Sequence, residues 1–284
     1  MPTFPIIDTH VHFWDRDAVP ISWMTPMPAI DRRFLPGDLD ADRGKVALEG
    51  LVFVEANVEP GQHLAEVDWV GTLAADDPRI LAIVAHAPLE RGPAVKADLE
   101  KLASSPLVRG IRRLIQGSDA VALCGNPDFV AGVRAVAEFD MHFELCILHH
   151  QLAPVLTLVE QCPQVRFVLD HIAKPGIKDD LREPWWSEIE RLAGFDNVIC
   201  KLSGVATEAD HEHWTEEQLR PYLARVMAVF GPDRLMFGSD WPVMRLAIQY
   251  PRWVEILDRA IQDWSEAEQR GFYRDNARRV YRLG

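Results

Sequence analysis

The sequence predicts an α/β protein built as one (β/α)8 barrel of the TIM type, regular or distorted, that spans residues 1–284 as a single domain. Three observations predict this fold class. Eight short apolar runs occur along the chain, segments with helical periodicity lie between most of them, and the length of 284 residues suits such a barrel. Continuous apolar runs that alternate with helices indicate a parallel sheet covered on its faces.

The eight apolar runs are interpreted as strands in chain order. They cover Phe4–Asp8, Gly50–Glu55, Ile80–His86, Val108–Leu114, His142–Leu148, Val165–Asp170, Val198–Leu202 and Arg234–Phe237. Helical patterns cover Gln62–Ala75, Ala94–Ala103, Pro127–Phe139, Pro154–Gln161, Pro184–Ala193 and Glu216–Phe230, with two or three more helices across Pro251–Leu283. A doubly wound sheet is the alternative fold. No glycine-rich GxGxxG or P-loop motif follows a strand, which counts against a nucleotide-binding fold.

The longest irregular segment, Phe13–Pro36, follows the first predicted strand and is rich in proline and tryptophan. In a barrel, the loops that follow the strands carry the binding and catalytic residues. We therefore expect a long loop after the first strand that covers a substrate.

Composition excludes several classes of partner. The net charge of −13 argues against a nucleic-acid partner, which would require a basic face. No run approaches the ~18–20 apolar residues of a membrane span, and no secretory signal is apparent. The four cysteines form no CxxC pair, which is typical of reduced thiols in the cytoplasm. We therefore expect a cytoplasmic protein without a membrane partner, either monomeric or a homo-oligomer.

Polar residues close every predicted strand. In chain order they are His10 and His12, Glu55 and Asn57, His86, Arg112 and Arg113, His149 and His150, Asp170 and His171, Lys201 and Ser203, and Asp240. Unpaired buried charges each cost several kcal/mol, so eight polar strand ends are difficult to explain by packing alone. Since the carboxyl ends of barrel strands meet at one face, these residues predict an active site there.

The segment Asp8-Thr9-His10-Val11-His12 is the most informative motif. Side chains alternate along a strand, so His10 and His12 should point to the same side. Imidazole is the commonest metal ligand near neutral pH, and two imidazoles form half of a tetrahedral site. The alternative is a hydrogen-bonded pair of core histidines.

Five segments together resemble the amidohydrolase superfamily. They are Ile7–Trp14, Val168–Pro175, Cys200–Gly204, Phe237–Pro242 and Asn276–Tyr281. Within the superfamily they are most similar to the "amidohydrolase 2" branch and to its sugar lactonases of the L-fuconolactonase and L-rhamnonolactonase type. The resemblance extends from residue 6 to residue 283.

The resemblance implies a site for one divalent metal, with zinc as the expected ion. Its ligands would be His10, His12, His171 and Asp240. Relatives with two metals carry a bridging lysine on the fourth strand, where this chain has arginine. A guanidinium stays protonated and cannot form that bridge, so at most one metal is expected. A metal-free site is the alternative.

The remaining roles also follow from the resemblance together with position at a strand end. Asp240 is expected to be the general base, and His171 is expected to bind metal or polarise a carbonyl. His149 and His150 are adjacent and cannot both face the barrel axis, so His150 is preferred as the catalytic one. The expected substrate contacts are Arg112, Glu55, Trp23, Trp241 and His86.

The predicted activity is hydrolysis of a small sugar lactone, such as L-fuconolactone, to the sugar acid. Water would attack the lactone with assistance from Asp240 and a divalent metal. One alternative is a metal-dependent decarboxylase of a small unsaturated or aromatic carboxylic acid. Another is a metal-free lactonase of a dicarboxylate lactone, and a non-catalytic binding protein is the least favoured because no polar strand end is missing.

Overall fold

Eight parallel β-strands form one sheet in the computed structural model, which describes residues 1–284. The strands are β1 (Ile6–Val11), β2 (Leu48–Val54), β3 (Ile80–His86), β4 (Val108–Arg112), β5 (His142–Leu145), β6 (Phe167–Leu169), β7 (Val198–Leu202) and β8 (Leu235–Phe237). Each strand pairs with the next one along the chain. At the carboxyl ends of β1 and β8, the His12 amide donates to the Trp241 carbonyl at 2.8 Å and the Asp240 amide donates to the His10 carbonyl at 2.9 Å. The sheet is therefore a nearly closed barrel, and the predicted (β/α)8 fold is confirmed.

Eleven α-helices accompany the strands. They are α1 (Pro36–Asp42), α2 (His63–Asp76), α3 (Lys96–Ala103), α4 (Ala120–Cys124), α5 (Pro127–Glu138), α6 (Leu152–Gln161), α7 (Trp185–Ala193), α8 (Glu216–Phe230), α9 (Tyr250–Ala260), α10 (Glu266–Arg270) and α11 (Asn276–Tyr281). The sequence did not predict α1 and α4, because helices of 7 and 5 residues are too short to show a helical period. None of the eleven combines the length and apolar character that a membrane-spanning helix needs.

Two strands differ from their predicted bounds in ways that matter for the site. The first strand extends through His10 to Val11, beyond the predicted end at Asp8. The sixth strand ends at Leu169, one residue before the predicted end. It stops because the chain turns into a left-handed conformation from His171 onward.

An extra residue in β1 sets the direction of the histidines. Asp8 pairs with Leu51 and Val11 pairs with Phe53, so three steps along β1 match two steps along β2. Such a bulge reverses the alternation of side chains. As a result Asp8 bonds the Tyr250 hydroxyl on the outer side, at 2.9 Å, whereas the two histidines face the barrel interior.

The core has two layers. A large cluster of buried side chains packs the helices against the outside of the barrel. A smaller cluster lies within the barrel and includes Ile7, Val52, Val84 and Met236. Helix α11 closes the amino-terminal end of the barrel, where Tyr281 joins this inner cluster.

The long loop after β1 is tied down by its aromatic residues. Trp14 and Phe34 exchange backbone hydrogen bonds at 3.0 and 2.9 Å, which closes the base of the loop. The Trp23 indole donates to the Ala56 carbonyl at 2.7 Å, just past β2. These contacts hold the loop over the carboxyl end of the barrel, as the sequence predicted.

Candidate active site

A cleft of about 440 Å³ opens at the carboxyl end of the barrel. The side chains around it come from strand ends, from the turns that follow them and from the long loop. The polar and aromatic ones are His12, Trp23, Asn57, Arg112, Gln116, Cys146, His171, Lys174 and Asp240. This is the face on which barrel enzymes carry their active sites.

Three ligand atoms form a triangle at the base of the cleft. His10 Nε2 lies 3.2 Å from His12 Nε2, and Asp240 Oδ1 lies 3.3 Å from His12 Nε2 and 3.7 Å from His10 Nε2. Zinc bonds of about 2.0–2.1 Å in a tetrahedron place neighbouring ligand atoms about 3.4 Å apart. His171 Nε2 lies 3.9 Å from Asp240 Oδ1 and offers a fourth ligand. The spacing therefore fits one divalent metal ion.

The partners of the other ring nitrogens suit metal binding. His12 Nδ1 lies 2.7 Å from the Val54 carbonyl, and because a carbonyl only accepts, Nδ1 carries the proton and leaves Nε2 free. The His171 Nδ1 atom is 2.9 Å from the Ser203 hydroxyl. Outer-shell hydrogen bonds of this kind orient ligand histidines in metal sites.

Asp170 is buried behind His10. Its Oδ1 atom lies 3.4 Å from His10 Nδ1 and 3.2 Å from the Lys201 ammonium, and its Oδ2 atom lies 3.2 Å from Arg112. Asp170 thus accepts a hydrogen bond from Arg112 at Oδ2, and its Oδ1 atom lies within ion-pair distance of Lys201 and the His10 ring. Although Asp170 precedes His171 in the chain, it therefore contacts His10 and the buried cations and not the His171 ring.

A network of buried ion pairs surrounds these ligands. Arg112 donates to the Glu55 carboxylate at 2.8 Å, and Lys201 donates to Glu144 at 2.6 Å. We call the following six residues the inner charge cluster: Arg112, Lys201, Glu55, Glu144, Asp170 and Asp240. All six are buried, and with two cations against four carboxylates the cluster carries a formal charge of −2. A divalent cation would neutralise it, which is a second observation that fits a metal ion.

Neighbouring groups adjust the charges in the site. Burial alone would raise the pKa of Asp240, but His171, His12 and His10 hold the pKa below its usual value, so this residue stays a carboxylate. Burial lowers the pKa of His171 to about 4 and that of His10 well below its ordinary value. Both rings are consequently neutral at pH 7, as metal-ligating histidines must be.

A glycine makes room for Asp240 and His171. Gly204 has a φ of +58°, and a Cβ atom there would lie 2.8 Å from both Asp240 Oδ2 and His171 Nδ1. Any larger residue would therefore displace the two side chains in addition to straining the backbone. The glycine of the Cys200–Gly204 segment is therefore needed for the close approach of these two side chains.

The structure brings together most of the residues that the sequence singled out. His10, His12, His171 and Asp240 converge at the base of the cleft. Trp23 forms part of its wall and Arg112 part of its floor. Glu55 lies behind Arg112 and borders an adjoining cleft of about 520 Å³.

Three predicted site residues lie elsewhere. His150 is exposed on a short helical turn after β5 and does not line the cleft. The Trp241 side chain is fully buried, and its indole donates to Asp42 at 2.8 Å, on the far side of the β8 turn. His86 is half-buried and lines the adjoining cleft beside His63. Strand position alone did not reveal these directions, because each side chain is aimed by the turn that follows its strand.

Several cleft residues were not singled out from the sequence. Gln116 and Cys146 lie on one wall, and Lys174 lies beside His171. Glu144 was missed too, although its period-two spacing from His142 on β5 indicates that both face the interior. Lys174 stands in the Val168–Pro175 segment that carried the resemblance, and that segment was the available signal for it.

Comparison with known proteins identifies the family. The model of the amidohydrolase family Amidohydro_2 matches residues 7–283. The chain belongs to this family, as its strand-end motifs predicted.

Individual relatives are similar over most of the chain. The L-fucono-1,5-lactonase of Burkholderia multivorans is 31% identical, over 98% of this chain and 96% of that protein. The L-fucono-1,5-lactonase of Burkholderia ambifaria is 33% identical, over 85% of this chain and 81% of that protein. A crystal structure of an amidohydrolase from Burkholderia multivorans with bound zinc is 30% identical and superimposes with a TM-score of 0.87, covering 99% of this chain and 100% of that one.

Proposed function

We propose that this protein hydrolyses a small sugar lactone, of the L-fucono-1,5-lactone class, to the open-chain sugar acid. The observation that carries the proposal is the convergence of His10, His12, His171 and Asp240 at the base of the cleft. That arrangement occurs in a chain about one-third identical to two L-fucono-1,5-lactonases over most of its length.

Asp240 is the proposed general base. Its carboxylate stays ionised because the nearby histidines lower its pKa, and it borders the cleft. It takes a proton from a water molecule whose oxygen attacks the lactone carbonyl carbon. The tetrahedral intermediate then expels the ring oxygen, and Asp240 returns the proton to it, so that the products are an acid and an alcohol.

The other cleft residues hold the substrate. His171 lines the cleft beside Asp240, where its Nε2 atom binds the metal ion or, in a metal-free site, donates to the carbonyl oxygen. Trp23 offers an apolar face on which a sugar ring can stack. Arg112 contributes charge to the floor of the cleft, while Glu55 and Asp170 fix its position.

One divalent metal ion, with zinc as the expected one, would be held by His10, His12, Asp240 and His171. When bound it supplies Lewis-acid polarisation and lowers the pKa of water. The zinc in the related crystal structure and the formal charge of the inner charge cluster both support this part of the proposal.

The test is acid release from a panel of aldonolactones, followed with a pH indicator. L-fucono-, L-rhamnono- and L-galactonolactone come first, and each assay is paired with a chelator-treated sample and a metal analysis. We expect opening of one or more hexono- or deoxyhexonolactones, with bound zinc and loss of activity after chelation. Full activity in the chelated, metal-free sample would contradict the proposed need for a metal ion but would still support the lactonase activity.

The same samples test the competing reaction. Incubation with small unsaturated and aromatic carboxylic acids would release carbon dioxide if the protein were a decarboxylase. Carbon dioxide release together with no opening of any lactone would overturn the proposed function.

A further inference from the structure

The turn after β6 has an unusual backbone. His171, Ile172, Ala173 and Lys174 all have φ between +45° and +62°. Left-handed residues other than glycine are uncommon, and a β-branched residue such as Ile172 is a genuine outlier. Each is disfavoured relative to a right-handed residue, because the Cβ atom then lies too close to the following carbonyl oxygen. Strain of this kind persists where the surrounding structure holds it in place, and it clusters at functional sites.

The surrounding contacts do hold this turn. The Lys174 amide donates to the His171 carbonyl at 2.8 Å, and the Trp185 indole donates to the Ile172 carbonyl at 2.8 Å. The Lys174 carbonyl in turn accepts from the His149 amide at 3.3 Å. One bond within the turn and two bonds from other segments thus fix a backbone path that local preference would not adopt.

The turn places two side chains on one wall of the cleft. A turn with a hydrogen bond between residues i and i+3 has about three residues per turn, so side chains at i and i+3 lie one above the other. His171 and Lys174 have this spacing, and both line the cleft. In an extended continuation of β6 they would point to opposite faces.

Lys174 is the one cation of the cleft without a partner. Arg112 is bonded to Glu55 and Asp170, and the deeper Lys201 is bonded to Glu144 and Asp170. Among all hydrogen bonds and ion pairs of residues 1–284, none involves the Lys174 ammonium. A half-buried ammonium without a protein partner can bond an oxygen of a ligand without giving up an existing contact.

The charges around Lys174 keep it protonated. Burial opposes the charged form, but Cys146, Glu208 and Asp240 together raise the pKa of Lys174 above its ordinary value. None of these groups forms a hydrogen bond or ion pair with the ammonium. A lysine ammonium is charged at neutral pH, so Lys174 places a positive charge on the cleft wall that His171 and Asp240 also line.

We propose that Lys174 is a catalytic residue whose ammonium hydrogen-bonds the carbonyl oxygen of the lactone and stabilises the negative charge that develops on that oxygen. The inference rests on the proposed function and adds Lys174 to the residues that carry out that reaction. The bond strengthens as the oxyanion forms, because a charge-assisted hydrogen bond is stronger than one to a neutral carbonyl. After ring opening, the same ammonium faces the carboxylate of the product acid.

The test compares Lys174→Met with the matched control Lys178→Met. Lys178 lies four residues further along the chain, is exposed and pairs with Asp210. Loss of one oxyanion donor lowers kcat by about 10²–10³-fold. We expect a fall of that size in Lys174→Met with KM changed less than about fivefold, an unchanged zinc content, and weaker inhibition by the product acid. Lys178→Met should match the wild type in every measurement.

Three results would overturn the inference. They are kcat and KM of Lys174→Met within about twofold of wild type, a raised KM with an unchanged kcat, and undiminished inhibition by the product acid. If Lys174→Met does not fold, a crystal structure of the wild type with the product acid decides, because a carboxylate oxygen must then lie within hydrogen-bond distance of Lys174 Nζ. A wild type that opens no lactone refutes the proposed function itself, so the two failures are distinguishable.

Discussion

The two walls of the barrel interior differ sharply in chemistry. The apolar wall consists of Val52 and Val54 on β2 and Ala82 and Val84 on β3. The charged wall consists of Arg112 on β4, His142 and Glu144 on β5, and Lys201 on β7. Both walls belong to the same sheet and are equally inaccessible to solvent, so burial does not explain why one of them is charged.

The charged wall lies directly under the residues that line the cleft. Lys201 approaches His10 Nδ1 at 3.3 Å, and Arg112 approaches His10 Nε2 at 3.3 Å. The pairs in this wall contribute little to net stability, because desolvation offsets much of their attraction. Their position instead fixes the histidine and the carboxylates that would act on a substrate. The comparison teaches that one half of the interior stabilises the barrel and the other half organises the site.

The largest expected effect is on activity and comes from Asp240→Asn. The amide is nearly isosteric but cannot take a proton, so kcat should fall by about 10²–10⁴-fold, as for loss of a general base. The melting temperature should change little. Asp210→Asn, at an exposed carboxylate, is the control and should keep full activity. An active Asp240→Asn protein would contradict the role of Asp240 as the general base.

Lys201→Met should have the largest effect on stability. It leaves Glu144 and Asp170 buried without their shared cation, and breaking a buried pair in this way costs about 3–5 kcal/mol. Chemical denaturation measures the change. Adding Glu144→Gln to this variant should restore part of the loss, because one uncompensated charge is then removed. A decrease in the free energy of unfolding below about 1 kcal/mol would mean that Lys201 does not stabilise the buried carboxylates Glu144 and Asp170.

Val84→Ala tests the apolar wall. The substitution creates a small cavity next to the inner apolar cluster and should lower the free energy of unfolding by about 1–3 kcal/mol. Activity should stay within about twofold of wild type, since the Val84 side chain packs in the inner apolar cluster and the hydrogen bond from the Glu55 amide to the Val84 carbonyl does not depend on that side chain. A large fall in kcat with a small change in stability would break the proposed division between the two walls.

The smallest effect concerns Glu66 on α2, a buried carboxyl that lies outside the charged wall. Its Oε1 atom accepts from the Ala56 amide at 2.8 Å, and no cation pairs with it. Burial, together with the charge of Glu55, raises the pKa of Glu66 from the ordinary 4.5 to about 8. Between these two values the unfolded chain ionises at this residue and the folded chain does not, so stability falls as the pH rises.

Glu66→Gln should remove that component of the pH dependence. From pH 5 to pH 6, the variant should lose about 1 kcal/mol less stability than the wild type. Thermal unfolding at both pH values measures the difference. Parallel pH profiles for the two proteins would show that Glu66 is ionised in the folded state and would contradict this prediction.

Much of the architecture could be predicted from the sequence, because its signals are local. The apolar runs of β3 and β7 agree with their observed bounds, and the spacing of His10 and His12 correctly indicated one shared face. The directions of His150, Trp241 and Lys174 could not be predicted in this way. They depend on the left-handed turn after β6 and on the short turns after β5 and β8, whose backbone angles are set by tertiary contacts.

The position of α11 has a consequence for assembly of the protein. The Tyr281 hydroxyl donates to Glu144 Oε1 at 2.8 Å, and the ring packs on His142 with centroids 4.9 Å apart. Gly110 lacks the Cβ atom that would lie 2.2 Å from the His142 ring, so this region admits one arrangement. Because α11 follows all eight strands, a nascent chain on the ribosome cannot complete the floor beneath its catalytic groups until that helix has emerged and docked.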